Sequence, residues 1–118
     1  MSERVKWIEH KGKKSLFSNY QGLKGNEYTQ TIKESEKEAL NSDMKTIYVL
    51  NDVTDSYMND DSTAAAKHWI DTCKDQGITL IITLVGITGI KRIVAQAVKR
   101  DMHFAKSLED AKDWLASK

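Results

Sequence analysis

Apolar residues run from Ile78 to Ile87, interrupted only by Thr79, Thr83 and Gly86, and apolar positions then recur at helical spacing as Ile90, Ile93, Val94, Ala97 and Val98. A strand apolar on both faces belongs inside a mostly parallel sheet, and a helix leaving it through a glycine turn must pack back onto that sheet. Leu80 through Leu84 are therefore expected in a central strand shielded above and below. On the helix that follows, Lys91, Arg92, Lys99 and Arg100 are expected on the solvent side, opposite the apolar stripe.

The chain before this strand alternates between β and helical patterns. Val5 to His10 and Ser15 to Gln21 are β-rich and flank Lys11-Gly12-Lys13-Lys14, which predicts an antiparallel hairpin. Gly22 to Gly25 breaks the pattern, and Asn26 is placed to cap a helix through Leu40 with Tyr28, Ile32, Ser35 and Ala39 on one stripe. Glu34, Glu36, Lys37 and Glu38 then form its solvated face. Thr46 to Leu50 reads as a short strand ending in a polar loop, Asn51 to Asp61. From Ser62 to Gln76 the period is helical, with Ala65, Trp69, Thr72 and Cys73 inward, His68, Asp71, Lys74 and Asp75 outward, and Gly77 as the stop. Met102 to Ala105 predicts an edge strand. Ser107-Leu108-Glu109-Asp110 resembles a capping box opening a helix with Leu108, Ala111 and Leu115 inward.

The resulting order is β, β, α, β, α, β, α, β, α, an α/β domain with a mixed sheet: an N-terminal antiparallel hairpin followed by β-α-β-α-β-α units, with four main helices. Its β-α-β crossovers are expected to be right-handed. In such sheets ligands and partners meet the loops at the carboxyl ends of the parallel strands, here Asn51 to Asp61 and Gly86 to Gly89.

Length and charge narrow the picture. A chain of 118 residues fits a single domain, and 18 basic against 17 acidic residues disfavour generic nucleic-acid binding. The lone cysteine, Cys73, has no partner within the chain for a disulfide, and Met1-Ser2-Glu3-Arg4-Val5 has no apolar core of a signal peptide, so the cytoplasm is the expected location. The apolar run at 78–87 is about half the length that spans a bilayer, and no membrane insertion is expected.

Four segments carry a family resemblance: Val5-Lys6-Trp7-Ile8 with Phe17-Ser18-Asn19-Tyr20; Leu50-Asn51-Asp52-Val53-Thr54-Asp55; Val85-Gly86-Ile87-Thr88-Gly89-Ile90-Lys91; and Glu109-Asp110-Ala111-Lys112-Asp113-Trp114-Leu115. Together they resemble the SpoIIAA-like, or STAS-like, family of small bacterial proteins related in fold to anti-sigma-factor antagonists. The resemblance covers the whole chain and implies a single SpoIIAA-like domain over residues 1–118, a fold shared with apolar-ligand carriers of the CRAL-TRIO kind. It implies no reaction. In the phosphorylated antagonists an Asp-Ser-Ser-Gly type motif follows a central strand and its serine switches partner binding. The corresponding region here reads Asp52-Val53-Thr54-Asp55-Ser56, so that motif is missing, and Thr54 and Ser56 are the nearest hydroxyls.

Two segments bear chemistry. Asp52, Thr54, Asp55 and Ser56 form a partner-contact or phospho-switch loop, since a phosphate beside Asp52 and Asp55 would repel the loop or recruit a basic partner. Asp52, Asp55, Asp60 and Asp61 also suit a hard cation, but Asp60, Asp61 and Ser62 stand where a helix begins, and capping it accounts for them, so no metal is expected. Gly86, Thr88, Gly89 and Lys91 suggest an anion site at a helix N-terminus. The glycine spacing matches neither a Walker loop nor a dinucleotide fingerprint, and backbone geometry, with Thr88 as cap, accounts for it as well.

His10, His68 and His103 sit on three different elements, so a zinc site is not expected; His68 with Asp71 and Asp75 shares a helix face. Cys73 lies in an apolar stripe without a base and reads as core. Trp7, Tyr20, Trp69 and Trp114 serve either as core or as the walls of a pocket. The expected function is a non-catalytic, cofactor-free cytoplasmic regulatory module with a protein partner, homodimerisation being open. The alternative is a carrier or sensor of a small apolar or lipid-like ligand.

Overall fold

The computed structural model describes residues 3–87 and 89–118, apart from the side chains of Ile90 and Val94. Among the described residues the order is β1 (Val5–His10), β2 (Lys13–Asn19), α1 (Asn26–Asn41), β3 (Thr46–Asp52), α2 (Asp60–Asp75), β4 (Thr79–Val85), α3 (Ile90–Val98), β5 (His103–Ala105) and α4 (Leu108–Ala116). The strands form one mixed five-stranded sheet in the order β1-β2-β3-β4-β5, antiparallel between β1 and β2 and parallel thereafter. This is the α/β architecture with four helices that the alternating pattern predicts.

The sheet has a core on each face because its strands alternate. Ile47 and Val49 of β3 and Leu80, Ile82 and Leu84 of β4 point into a core shared with α1 and α2. Their neighbours Leu50 and Val85 face the other way, onto Ala111 and Leu115 of α4. The apolar run is thus a strand covered on both sides, although it is fourth in the sheet and β3 is the middle strand.

The hairpin turn is tighter than predicted. Lys11 and Gly12 both take positive φ, 51° and 80°, so they alone make the reversal, and Lys13 and Lys14 pair with His10 and Glu9. This two-residue geometry matches the twist of the strands, which draws β2 back to Lys13 and ends it at Asn19. At Gly77 (φ 73°) the Ile78 N–H bonds to the Cys73 carbonyl at 2.8 Å and the Gly77 N–H to that of Lys74 at 3.1 Å. These crossed bonds define a Schellman stop for α2.

Several boundaries and faces differ from expectation. Gly25, with φ 54°, precedes α1 in the capping position, so Asn26 is the first helical residue and no side chain caps the helix. Asn59 caps α2, its Oδ1 accepting from the Ser62 N–H at 2.9 Å; Asp60 and Asp61 fall in the first turn, where their charge complements the helix dipole, and Ser62 is buried. β3 runs two residues further, taking Asn51 and Asp52 out of the loop. Glu36 and Glu38 are only half-exposed: Glu36 pairs with His68 Nδ1 at 2.9 Å and Glu38 accepts from Trp7 Nε1 at 3.3 Å. His68 therefore bridges α1 and α2 rather than pairing along its own helix. Leu108 is exposed at the start of α4, where Ser107 accepts from the Asp110 N–H at 3.1 Å. Met102 packs against the core just before β5.

The largest departure is the phase of α3. Ile93 is 68% exposed and Ala97 also faces water, whereas Lys91, Ala95 and Val98 are half-buried. Apolar residues occupy so wide an arc of this helix that the sequence permits either rotation. Lys99 is extended and Arg100 follows it, so the four basic residues form no single helical face.

Candidate functional site

The carboxyl ends of β3 and β4 do not meet the helices in a close-packed layer. A partly open cavity of about 220 Å³ lies there. Ile82 and Leu84 of β4 and Asn51 of β3 contribute to it from the sheet, Tyr28 and Ile32 from α1, and Ala66 and Trp69 from α2. The β3–α2 loop adds Ser56, Tyr57 and Met58, and α3 adds Lys91, Ala95 and Val98. The lining is predominantly hydrocarbon and aromatic, the usual character of a small-molecule pocket.

The two segments singled out in the sequence form one rim of this cavity. Gly86 (φ 84°) lies against Thr54. The Thr54 N–H and hydroxyl both donate to Asp52 Oδ1, at 3.1 and 2.7 Å, and Val53 N–H donates to the Val85 carbonyl at 2.9 Å. Asp55 takes φ 53° and is exposed. Ser56 is buried, its hydroxyl donating to the Val53 carbonyl at 2.6 Å. Lys91 reaches across from α3 to join the segments: Nζ donates to the Ser56 carbonyl at 2.9 Å and stands 3.9 Å from the centroid of the Tyr57 ring. Thr88, expected in the anion site, lies outside the described residues, and Gly89 rather than a side chain precedes α3. Thr54 and Ser56 both have their hydroxyls engaged, so a phosphate on either requires the loop to open first.

Polar groups within the cavity are few and specific. Tyr20 and Tyr28 stack with centroids 4.5 Å apart, and the Tyr20 hydroxyl is 3.4 Å from Ser35 Oγ, itself 2.7 Å from Ser18 Oγ. Burial pushes the Tyr20 phenol up to about 12 and raises that of Tyr28 as well, so both stay neutral hydrogen-bond donors near neutral pH. Asn51 is 9% exposed, and its Oδ1 has no hydrogen-bond partner among the described residues; nor has Trp69 Nε1. Buried polar atoms are almost always bonded, so an orphaned amide oxygen in a cavity wall points to a donor supplied from outside the chain.

Other expected chemistry is dispersed. His10 binds Asp113 at 2.8 Å, and His103 Nδ1 lies 2.8 Å from Thr83 Oγ1 while its ring stacks on Trp114. Among the described residues no group of three His, Cys, Asp or Glu side chains is placed to hold a metal ion, and the four loop aspartates do not converge. No helix among them is long and apolar enough to cross a membrane. Of the four aromatic residues weighed in the sequence, Tyr20 and Trp69 line the cavity, whereas Trp7 and Trp114 pack elsewhere. Asn51 had a signal in the sequence: it shares a strand face with Ile47 and Val49, where an amide is out of place.

Compared with known proteins, the chain matches no family model, no curated protein and no solved structure.

Proposed function

We propose that this domain binds a small, largely apolar ligand in the cavity between β3, β4 and α3, as a carrier or sensor that performs no reaction on it. The observation that carries this reading is the partly open, mostly hydrocarbon cavity with the unsatisfied Asn51 Oδ1 in its wall. A dry apolar cavity of roughly 150 Å³ accepts benzene, so about 220 Å³ suits a guest of roughly nine non-hydrogen atoms. Catalysis demands converging acid, base or nucleophile, and the polar groups here are one amide, phenols, buried hydroxyls and one ammonium.

A regulatory module that contacts a protein partner is the second reading. Tyr57, 53% exposed, and Met58, also exposed, favour it, because they form apolar surface at the cavity mouth that an occupied and an empty cavity would present differently. The hairpin, the parallel strands that follow and the four helices support the SpoIIAA-like type, and a cytoplasmic location belongs to the same proposal.

Native mass spectrometry of protein isolated from its own cells tests the first reading. The expected result is a retained small molecule that is released on denaturation and absent from an Ala95→Trp variant, whose indole fills the space. Protein that carries no small molecule and shows no saturable binding of short-chain apolar probes overturns it.

A further inference from the structure

We propose that the cavity takes a small monocarboxylate, an alkyl or aryl acid of roughly nine non-hydrogen atoms, whose carboxylate pairs with Lys91 Nζ while its hydrocarbon body lies against Trp69, Ile82 and Leu84. This rests on the reading of the cavity as a ligand site and assigns the chemistry of the guest.

The argument begins with an unbalanced charge. Lys91 is half-buried among aromatic and aliphatic neighbours, and it forms no ion pair among the described residues. Its ammonium carries three donors. One goes to the Ser56 carbonyl, and the Tyr57 ring offers its face to the charge without accepting a full hydrogen bond. Among the described residues the remaining donors have no acceptor. The loop's Asp52 is turned to Thr54, accepting both its N–H and its hydroxyl, and makes no ion pair with Lys91. A half-shielded cation without a counter-ion gives up part of its hydration, and a bound anion compensates it through a charge-assisted bond.

The rest of the lining fixes the size and valence of that anion. Lys91 is the one basic residue among the described lining residues, and none of them is acidic: the other polar side chains are Asn51, Ser56, Trp69 and three tyrosines, of which burial keeps Tyr20 and Tyr28 protonated. One ammonium among neutral groups matches a monoanion; a dianionic phosphate ester asks for more positive charge than the wall offers. Lys24, 5.5 Å from the Tyr57 ring, lies outside the wall and adds a second positive charge beside that ring.

Heptanoate and its neutral isostere heptanamide separate the carboxylate from the hydrocarbon. Each is titrated near neutral pH into ¹⁵N-labelled protein, following the amide signals of Asn51, Ala66 and Ala95. Heptanoate is expected to bind at least about tenfold more tightly than heptanamide, the scale of one partly buried charge-assisted bond. Lys91→Gln should abolish that preference, while Lys91→Arg should retain it. Equal affinities in the native protein, or a preference that survives in a folded Lys91→Gln variant, overturn the monocarboxylate. If Lys91→Gln does not fold, the native comparison and Lys91→Arg decide. If heptanamide binds and heptanoate does not, the cavity remains a ligand site and only its assignment to an acid falls. If neither compound moves those signals, both readings fall.

Discussion

Gly86 stands so close to Thr54 that a Cβ built on it would lie 2.0 Å from Thr54 Oγ1 and 2.8 Å from Thr54 Cα. The clash involves backbone as well as a side chain, and Gly86 also has φ 84°, so substitution there meets two obstacles at once. The contact fixes how the loops after β3 and β4 meet at the cavity rim.

Gly86→Ala is therefore expected to destabilise the fold by about 2–4 kcal/mol in urea unfolding, combining a left-handed backbone with a backbone collision. Gly77→Ala provides the control. Gly77 has φ 73° but nothing within 4 Å of the added methyl, so only the conformational cost, about 1 kcal/mol, should appear. Equal costs at the two positions would mean that the Thr54 contact contributes nothing.

Asn51→Leu should raise stability by about 1 kcal/mol, because it removes a buried acceptor that has no partner and leaves apolar volume in its place. The same change should weaken ligand binding. A gain in stability coupled to lost binding is the pattern expected where a polar group is retained for its guest. Thermal unfolding of the empty protein reads the first effect and titration the second.

His103 gives the stability a defined pH dependence. Burial holds its imidazole below the ordinary histidine value, with Lys118 acting the same way and Asp110 opposing. The unfolded chain then takes up a proton at a higher pH than the folded one. Stability should accordingly fall as pH drops below about 7 through the unfolded-state pKa, and level off below the folded-state value. In His103→Gln this segment of the pH profile should flatten. Asp113, held low by His10 and Lys11, acts at more acidic pH: its contribution is present above the ordinary aspartate range and is lost as pH falls through its lowered folded value.

Cys73 is buried, and burial pushes its thiol up. A thiolate reagent such as DTNB should therefore react at a rate set by opening of the fold, rising steeply across the urea transition. Rapid stoichiometric reaction with the native protein would place Cys73 nearer the surface than the structure has it.

Elements whose periods are unmixed were legible in the sequence. The run at β4 reads as a covered strand because it is apolar in both registers, and Gly77 marks a helix end because only a left-handed residue closes a Schellman turn. α3 was misread for a physical reason: its apolar arc is broad enough that its own pattern does not fix which edge turns inward. Its orientation is set by packing, with Lys91 over the Tyr57 ring, and this moved a lysine from the expected solvent face to the cavity wall. The cavity had no local signature because its walls come from segments as far apart as Tyr20 and Met102. The loop hydroxyls and the glycine turn look like two separate sites in the sequence, since nothing in the chain announces that Thr54 and Gly86 touch.

The placement of α4 bears on biosynthesis. Strands β1 to β5 lie in the sheet in the order of their translation, so each finds its neighbour already beside it as it leaves the ribosome. Leu50 and Val85, however, wait for Ala111 and Leu115, and Asp113 returns to grip His10 and Lys11 at the opposite end of the chain. A nascent chain stalled before α4 would carry a nearly finished sheet with one greasy side bare, a natural target for chaperone capture.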